Sequence, residues 1–294
     1  MTDFLIYLIE GALIGQVYAL IAMGFVVIYR ASKVFNFAQG ELVVLGGYLV
    51  WWMVLGSGLP AWVGIPLAFA LAALTGIVIE RIFFSRLVGE SLFSMVMVTV
   101  GLLVLLRGVF LVIWGAHVRP FPMIVPMRPL ILGELFISRS LLIGGAVTVV
   151  AAVGLSWFFN RTTAGLRMTA VAEDHQIAMS LGISVKRSVA FAWMLGAVLS
   201  TVGAIVFLNG KSLSFLASDI GFAALPVAML AGLESIGGLI LAGLVVGIAQ
   251  GMAAAYLDPL LGGGVSTVLP FVVMILILFF RPNGLFGWKL IERV

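Results

Sequence analysis

The chain has 294 residues; 63% are hydrophobic, only 10% are charged, and the formal net charge is +4. A soluble domain keeps about a quarter of its residues charged, so this composition excludes one, and the 35 glycines follow neither a collagen period nor a disordered tract. With no cysteine and only two widely separated histidines, His117 and His175, disulfides, iron–sulfur clusters and metal sites are disfavoured.

A helix crossing the hydrocarbon core needs about 20 mostly apolar residues, each rising about 1.5 Å through roughly 30 Å. Apolar runs lie at 4–29, 35–57, 60–80, 92–114, 138–160, 188–208, 220–236, 237–256 and 264–280. The expected fold is an all-α polytopic membrane protein with eight or nine transmembrane helices, in a single domain spanning 1–294. The first run is too long for a removable signal and lacks a basic leader, so it is read as a retained helix.

Within that run Glu10 is read as snorkelling to the outer surface. The second run opens on Asn36-Phe37-Ala38-Gln39-Gly40-Glu41. Asn36 and Gln39 are expected to share a helix face, Asn36 also suits a helix cap, and Glu41 is favoured near a helix start by the dipole. Capping is one reading of this segment. A polar patch on a translocation path is the other, and it gains weight if Arg30 to Phe35 is unwound inside the membrane. Arg107, well inside the fourth run, is expected to pair with an acidic neighbour.

Segment 115–137 carries Pro120, Pro122, Pro126 and Pro129, which forbid a continuous helix and predict an extended outer cap. In segment 161–187, Met168 to Leu181 sets Ala170, Ile177, Ala178 and Leu181 among polar residues, the pattern of one short amphipathic helix at the cytoplasmic face. The seventh run is short and holds Pro226, so a broken or re-entrant helix is expected there. Glu234, within Gly232-Leu233-Glu234-Ser235-Ile236-Gly237-Gly238, reads as part of a tight turn. Gly243, Gly247 and Gly251 recur every fourth residue and leave a smooth stripe for helix packing, within the chain or across a subunit boundary.

The sixteen Lys and Arg stand at the ends of apolar runs, a placement that suits membrane topology and not nucleic acid. With the N-terminus outside, Arg30, Lys33, Arg81, Arg86, Arg161, Arg167, Lys186 and Arg187 fall in inner loops, and Arg281, Lys289 and Arg293 in an inner tail. Only Arg119, Arg128, Arg139 and Lys211 then lie outside. This asymmetry favours an outer N-terminus, a cytoplasmic C-terminus and nine crossings. No phosphate loop, metalloprotease helix, nucleophile elbow or serine–histidine–acid set is present, so no residue is assigned as catalytic.

The opening Gly11-Ala12-Leu13-Ile14-Gly15-Gln16-Val17-Tyr18-Ala19-Leu20-Ile21-Ala22-Met23-Gly24, then Val34-Phe35-Asn36-Phe37-Ala38-Gln39-Gly40-Glu41 and Gly46-Gly47-Tyr48, resembles the start of branched-chain amino acid ABC importer permeases of the LivH type. The likeness continues through Gly165 to Asp174, Ala178, Leu181, Gly182 and Ile183, then Gly232 to Gly238 and Arg281-Pro282-Asn283-Gly284-Leu285-Phe286-Gly287. Gln39 stands where histidine is also common, and Val171 and Glu234 depart from the usual residues, differences that bear on substrate choice.

The resemblance implies a permease domain in the cytoplasmic or inner membrane of a bacterium or archaeon, partnered by a second homologous permease, two cytoplasmic ATPases and a periplasmic or lipid-anchored solute-binding protein. ATP is then bound by the ATPases, and this chain holds no cofactor. It also implies that segment 161–187 is the coupling loop, with Glu173 and Asp174 docking through charge and Ala178 and Gly182 allowing close approach. Asn36, Gln39 and Glu41 are the candidate path residues. Two other classes remain open on the residues alone: an ion-coupled secondary transporter or channel using Glu10, Glu41 and Glu234, and a polytopic membrane enzyme. Within the family, urea, short amides and small carboxylates are alternative cargoes.

Overall fold

The computed structural model describes residues 2–87, 90–126, 128–133 and 135–287. Lys289 and Arg293, part of the predicted basic tail, lie outside these. Each of the nine apolar runs contains a helix. In chain order these are α1 (Thr2–Ser32), α2 (Gln39–Trp51), α3 (Ala61–Ile79), α4 (Leu92–Trp114), α5 (Arg139–Arg161), the short α6 (Thr163–Glu173) and α7 (His175–Ser180), α8 (Val185–Leu208), α9 (Ile220–Ala231), α10 (Ile236–Met252), the single turn α11 (Asp258–Leu261) and α12 (Val265–Phe280). Wide π turns extend α2, α3 and α10 to Gly56, Phe84 and Leu257. Seven helical stretches are long and apolar enough to cross a membrane, while Phe215–Ala231 and Val265–Phe280 are shorter.

The loops sort onto two faces. On one, the Pro-rich face, Arg119–Pro120 (β1) pairs antiparallel with Ser212–Leu213 (β4), and Leu130–Leu132 (β2) forms a hairpin with Leu135–Ile137 (β3). The prolines bar a helix here, as the sequence predicts. Asn209, 4% exposed, fastens this cap: its Oδ1 accepts from the Ile124 and Val125 N–H groups at 2.9 Å, and its Nδ2 donates to the Val125 carbonyl at 3.0 Å. Lys211 lies over the Phe207 ring at 4.2 Å, and burial pushes its ammonium below the ordinary lysine value. The other, basic face gathers Lys33, Glu173, Glu234, Pro282 and Asn283 around a cavity of about 690 Å³.

Of the two forms expected for the seventh run, broken or re-entrant, it takes the broken one: from β4 on the Pro-rich face it passes through a 3-10 turn, Phe215–Asp219, and the short α9 to the basic face. Pro226 lies inside α9 and is buried there, so surrounding protein covers the backbone carbonyl its missing N–H leaves free. The single helix expected over Met168–Leu181 is two helices. Asp174 divides them, because its Oδ1 accepts from the Gln176 and Ile177 N–H groups at 2.7 and 2.9 Å and so starts α7.

Helix α2 is buried from Gln39 to Val50, which explains why it is apolar all round and not striped. It stands between α1, α3, α4 and α8. Tyr48 stacks on Trp114 at 4.7 Å, and Phe84 on Trp193 at 4.5 Å. The most extensive helix pair is α1 with α10, and it uses the predicted glycine stripe. A Cβ on Gly247 would overlap the Gly11 carbonyl oxygen, one on Gly243 would meet the Gly15 carbonyl oxygen at 2.5 Å, and one on Gly251 would lie 2.9 Å from Gly11 Cα. The stripe is therefore used inside the chain.

Candidate translocation site and coupling face

Helix α1 stays intact through Ser32, so the unwound stretch is 33–38 and not Arg30 to Phe35. Its backbone is held by side chains, as non-helical backbone among membrane helices requires. The Thr99 hydroxyl, on α4, lies 3.2 Å from the Phe35 carbonyl oxygen and accepts from the Phe37 N–H at 3.3 Å. Asn36 Oδ1 accepts from the Ala38 N–H at 3.1 Å. Asn36 thus precedes the helix and stabilises its approach turn; it shares no helix face with Gln39, contrary to the sequence expectation, and the N-cap position belongs to Ala38.

The three candidate path residues are all buried, at 0%, 0% and 1% exposure for Asn36, Gln39 and Glu41. Gln39 Nε2 donates to Ser200 Oγ at 2.9 Å and to the Ile21 carbonyl at 3.3 Å. Asn36 Nδ2 and Gln39 Oε1 have no partner among the described residues. Buried polar atoms are nearly always paired, so these two unpaired amide atoms stand out within the buried start of α2.

Glu41 is paired, and its partner is Arg107, the intramembrane arginine whose acidic neighbour the sequence leaves unnamed. Arg107 Nε donates to Glu41 Oε1 at 2.8 Å, while Nη2 donates to Ser218 Oγ at 2.9 Å and Asp219 Oδ1 at 3.2 Å. The cluster joins α4, α2 and the turn before α9. It forms because the starts of α2 and α9 meet backbone to backbone: a Cβ on Gly40 would overlap the Ser218 carbonyl oxygen, and one on Gly221 would lie 2.6 Å from the Gly40 nitrogen. Two helix starts, each with a partial positive charge, thus converge beside two carboxylates.

On the basic face, Lys33 Nζ bonds Glu234 and lies 3.4 Å from Glu173 Oε1. Burial opposes the Lys33 charge, but the Glu234 and Glu173 carboxylates together outweigh it and hold the ammonium above the ordinary lysine value. Glu234 is therefore both in a turn, with Leu233 at φ 55°, and in an ion pair. Glu10 has no ion pair among the described residues.

The four predicted coupling residues are adjacent but do different things. Glu173 is exposed and bridges to Lys33, and Asp174 caps α7. Ala178 is 1% exposed and faces its own chain, and Gly182 adopts φ +77° with open space around it, so backbone conformation is what requires glycine there. Ile177 and Leu181, which the sequence analysis counted among the apolar positions of this stretch, are exposed by 59% and 73%, as is Met179 by 52%, which sequence reasoning missed. Asp219, Ser218 and Ser200 were also missed, since no local pattern distinguishes them.

Among the described residues no three His, Asp or Glu side chains converge as a metal site does. The sequence model of the family described as "Branched-chain amino acid transport system / permease component" matches residues 7–278. The chain is similar to the high-affinity branched-chain amino acid transport system permease protein BraD of Pseudomonas aeruginosa, 28% identical over 99% of this chain and 98% of that protein. It is similar to LivH of Escherichia coli, at 26% identity over 99% and 98% of the two chains, and to the probable LivH of Methanocaldococcus jannaschii, at 24% over 98% and 95%. A match that runs through the unwound segment, the short helices and the Gly-rich turn in one order places this protein in the family of branched-chain amino acid transport permeases, as a multi-pass membrane subunit of an ABC transporter whose ATPase sites lie on other subunits.

Proposed function

We propose that this chain forms half of the translocation path of an ATP-driven importer for branched-chain or related amino acids. The observation that carries this reading is the family match over 7–278. The other half is a second homologous permease, two ATPases work from the basic face, and a periplasmic or lipid-anchored binding protein delivers cargo on the Pro-rich face. In proteoliposomes holding the assembled transporter and ATP, labelled leucine uptake is expected to depend on the binding protein and to be reduced by excess isoleucine or valine. Uptake of urea or a short amide with none of leucine would contradict the proposed cargo.

Asn36, Gln39 and Glu41 line or flank the path, a reading supported by their burial and by the two unpaired amide atoms. Segment 161–187 is the coupling loop, with Glu173, Asp174, Ala178 and Gly182 shaping α7 and its neighbours. The exposed apolar side chains Ile177, Met179 and Leu181 on α7 and at its end supply the apolar contact with an ATPase, since large apolar groups left in water favour a partner. Ile177→Asp is expected to lower ATPase co-purification by about tenfold, the equivalent of about 1.4 kcal/mol, while membrane insertion is retained. Replacing Glu173 and Asp174 with lysine should also reduce it, by severing the Lys33 bridge and the α7 cap. Unchanged co-purification in both variants would remove the coupling assignment.

The basic face is cytoplasmic and the N-terminus outside, as the Lys and Arg asymmetry supports. The sequence holds no cysteine, so Leu181→Cys provides a single label site without background. A membrane-impermeant maleimide is expected to react with it in inside-out vesicles and not in intact spheroplasts. The reverse pattern would invert the topology.

A further inference from the structure

Arg107 stands seven residues before the end of the 23-residue α4, about 10 Å of helix from the Pro-rich face. At that depth a charged group faces protein or water, because lipid solvates it poorly. Its guanidinium is only partly committed. Nε and Nη2 bond Glu41, Ser218 and Asp219, whereas Nη1 has no hydrogen bond among the described residues, and neither has Asp219 Oδ2. The cluster also has a closed half and an open half: the Glu41 side chain is 2% exposed, Arg107 31% and Asp219 69%.

These facts divide the labour of three charges. Glu41, shut inside, neutralises the arginine and fixes its plane through Nε. The open half then shows one free guanidinium edge beside one free carboxylate oxygen. An α-amino acid carries a carboxylate and an ammonium on the same carbon, and so complements both at once: its carboxylate accepts from Nη1 and its ammonium donates to Asp219. A simple carboxylate or a neutral amide satisfies one half and leaves the other without a charged partner, so it gains fewer charge-assisted hydrogen bonds than an α-amino acid.

The geometry points to Arg107 and Asp219 as a head-group site for zwitterionic α-amino acids on the translocation path, with Glu41 as the residue that positions Arg107. This deepens the importer reading and rests on it. It adds a residue-level selectivity filter inside the membrane to whatever selection the binding protein makes.

The test uses the whole transporter, both permeases with ATPases and binding protein, in proteoliposomes containing ATP, with labelled leucine as the probe. Asp219→Asn removes the open carboxylate's charge without touching the Glu41–Arg107 pair. It is expected to lower initial leucine uptake by about tenfold or more, the scale of one charge-assisted hydrogen bond, with both permeases still co-purifying. Asp219→Glu should restore part of the uptake, which a purely structural role for the aspartate would not require. Arg107→Lys, which keeps the charge but loses the forked edge, should also lower uptake.

Leucine uptake by Asp219→Asn equal to that of the unaltered protein overturns the assignment. So does loss of the second permease from the purified variant, which would make the open half a subunit contact. If the unaltered transporter takes up no leucine under any condition, the amino acid reading itself fails and the head-group site falls with it, an outcome distinct from the first two.

Discussion

Glu41→Leu is expected to destabilise the purified permease by roughly 2–4 kcal/mol, and to leave residual uptake well below that of the unaltered protein. Removing one partner of a buried ion pair commonly costs about 3–5 kcal/mol, because the remaining charge is left in a poor solvent. The lower part of that range applies because Arg107 keeps Ser218 and Asp219 and is 31% exposed. The double variant Glu41→Leu/Arg107→Leu buries no orphaned charge, so it should be more stable than Glu41→Leu alone. Thermal unfolding in detergent checks both statements. A Glu41→Leu melting temperature equal to that of the unaltered protein would show that the pair is not closed as described.

The second large effect is expected at the α1–α10 crossing. Gly247→Leu has no room: even the first carbon of the side chain would overlap the Gly11 carbonyl oxygen and lie 2.5 Å from Gly15 Cα, both backbone atoms that no rotamer change can move. Overpacking a well-filled core costs about 1–3 kcal/mol when side chains can yield, and here the helices themselves must separate. The folded yield is therefore expected to collapse for Gly247→Leu and to fall clearly for Gly247→Ala. Gly154→Ala is the control, since nothing lies within 4 Å of its added carbon in α5. It should be neutral or slightly stabilising, because alanine is the better helix former by about 1 kcal/mol. Equal yields for Gly247→Ala and Gly154→Ala would contradict the close crossing.

Both sites show what a sequence can disclose. The glycine stripe at 243, 247 and 251 was legible because four-residue spacing puts small residues on one helix face, but its partner was not. Gly11 and Gly15 have the same spacing in α1, yet nothing local says that two such stripes meet. In the same way, an arginine inside an apolar run requires an acid nearby, while the choice of Glu41 depends on how the unwound stretch 33–38 seats α2 against α4. The nine apolar runs, the non-helical Pro-rich segment and the break before α2 follow from length, proline chemistry and polar residues at a helix start. The split at Asp174 was also readable, because aspartate is a strong helix cap, but the amphipathic period across Met168–Leu181 masked it. Asp219 and Asn209 carry no such signal: their partners, Arg107 on α4 for the one and Ile124 and Val125 in the Pro-rich segment for the other, lie more than 80 residues away in sequence.

The mechanism assigns the two charged clusters to different tasks. Arg107, Glu41 and Asp219 lie along the membrane-spanning helices, where the proposed mechanism has them meet solute. Lys33, Glu173 and Glu234 tie the end of α1 to the coupling segment and to the turn before α10. Because Lys33 opens the unwound stretch, the proposed coupling carries a displacement of α6 by an ATPase to the residues that flank the path. A ligand or nucleotide can drive such a switch only by favouring one arrangement over the other, and this chain holds no nucleotide site to do so itself.

That dependence is the central claim, and solute accumulation in sealed liposomes measures it directly. Vesicles containing this permease and its homologous partner without the ATPases are expected to accumulate no leucine against a gradient, whether or not a proton or sodium gradient is imposed. Adding the ATPases, the binding protein and internal ATP should produce concentrative uptake. Accumulation driven by an ion gradient in the absence of the ATPases would contradict the account.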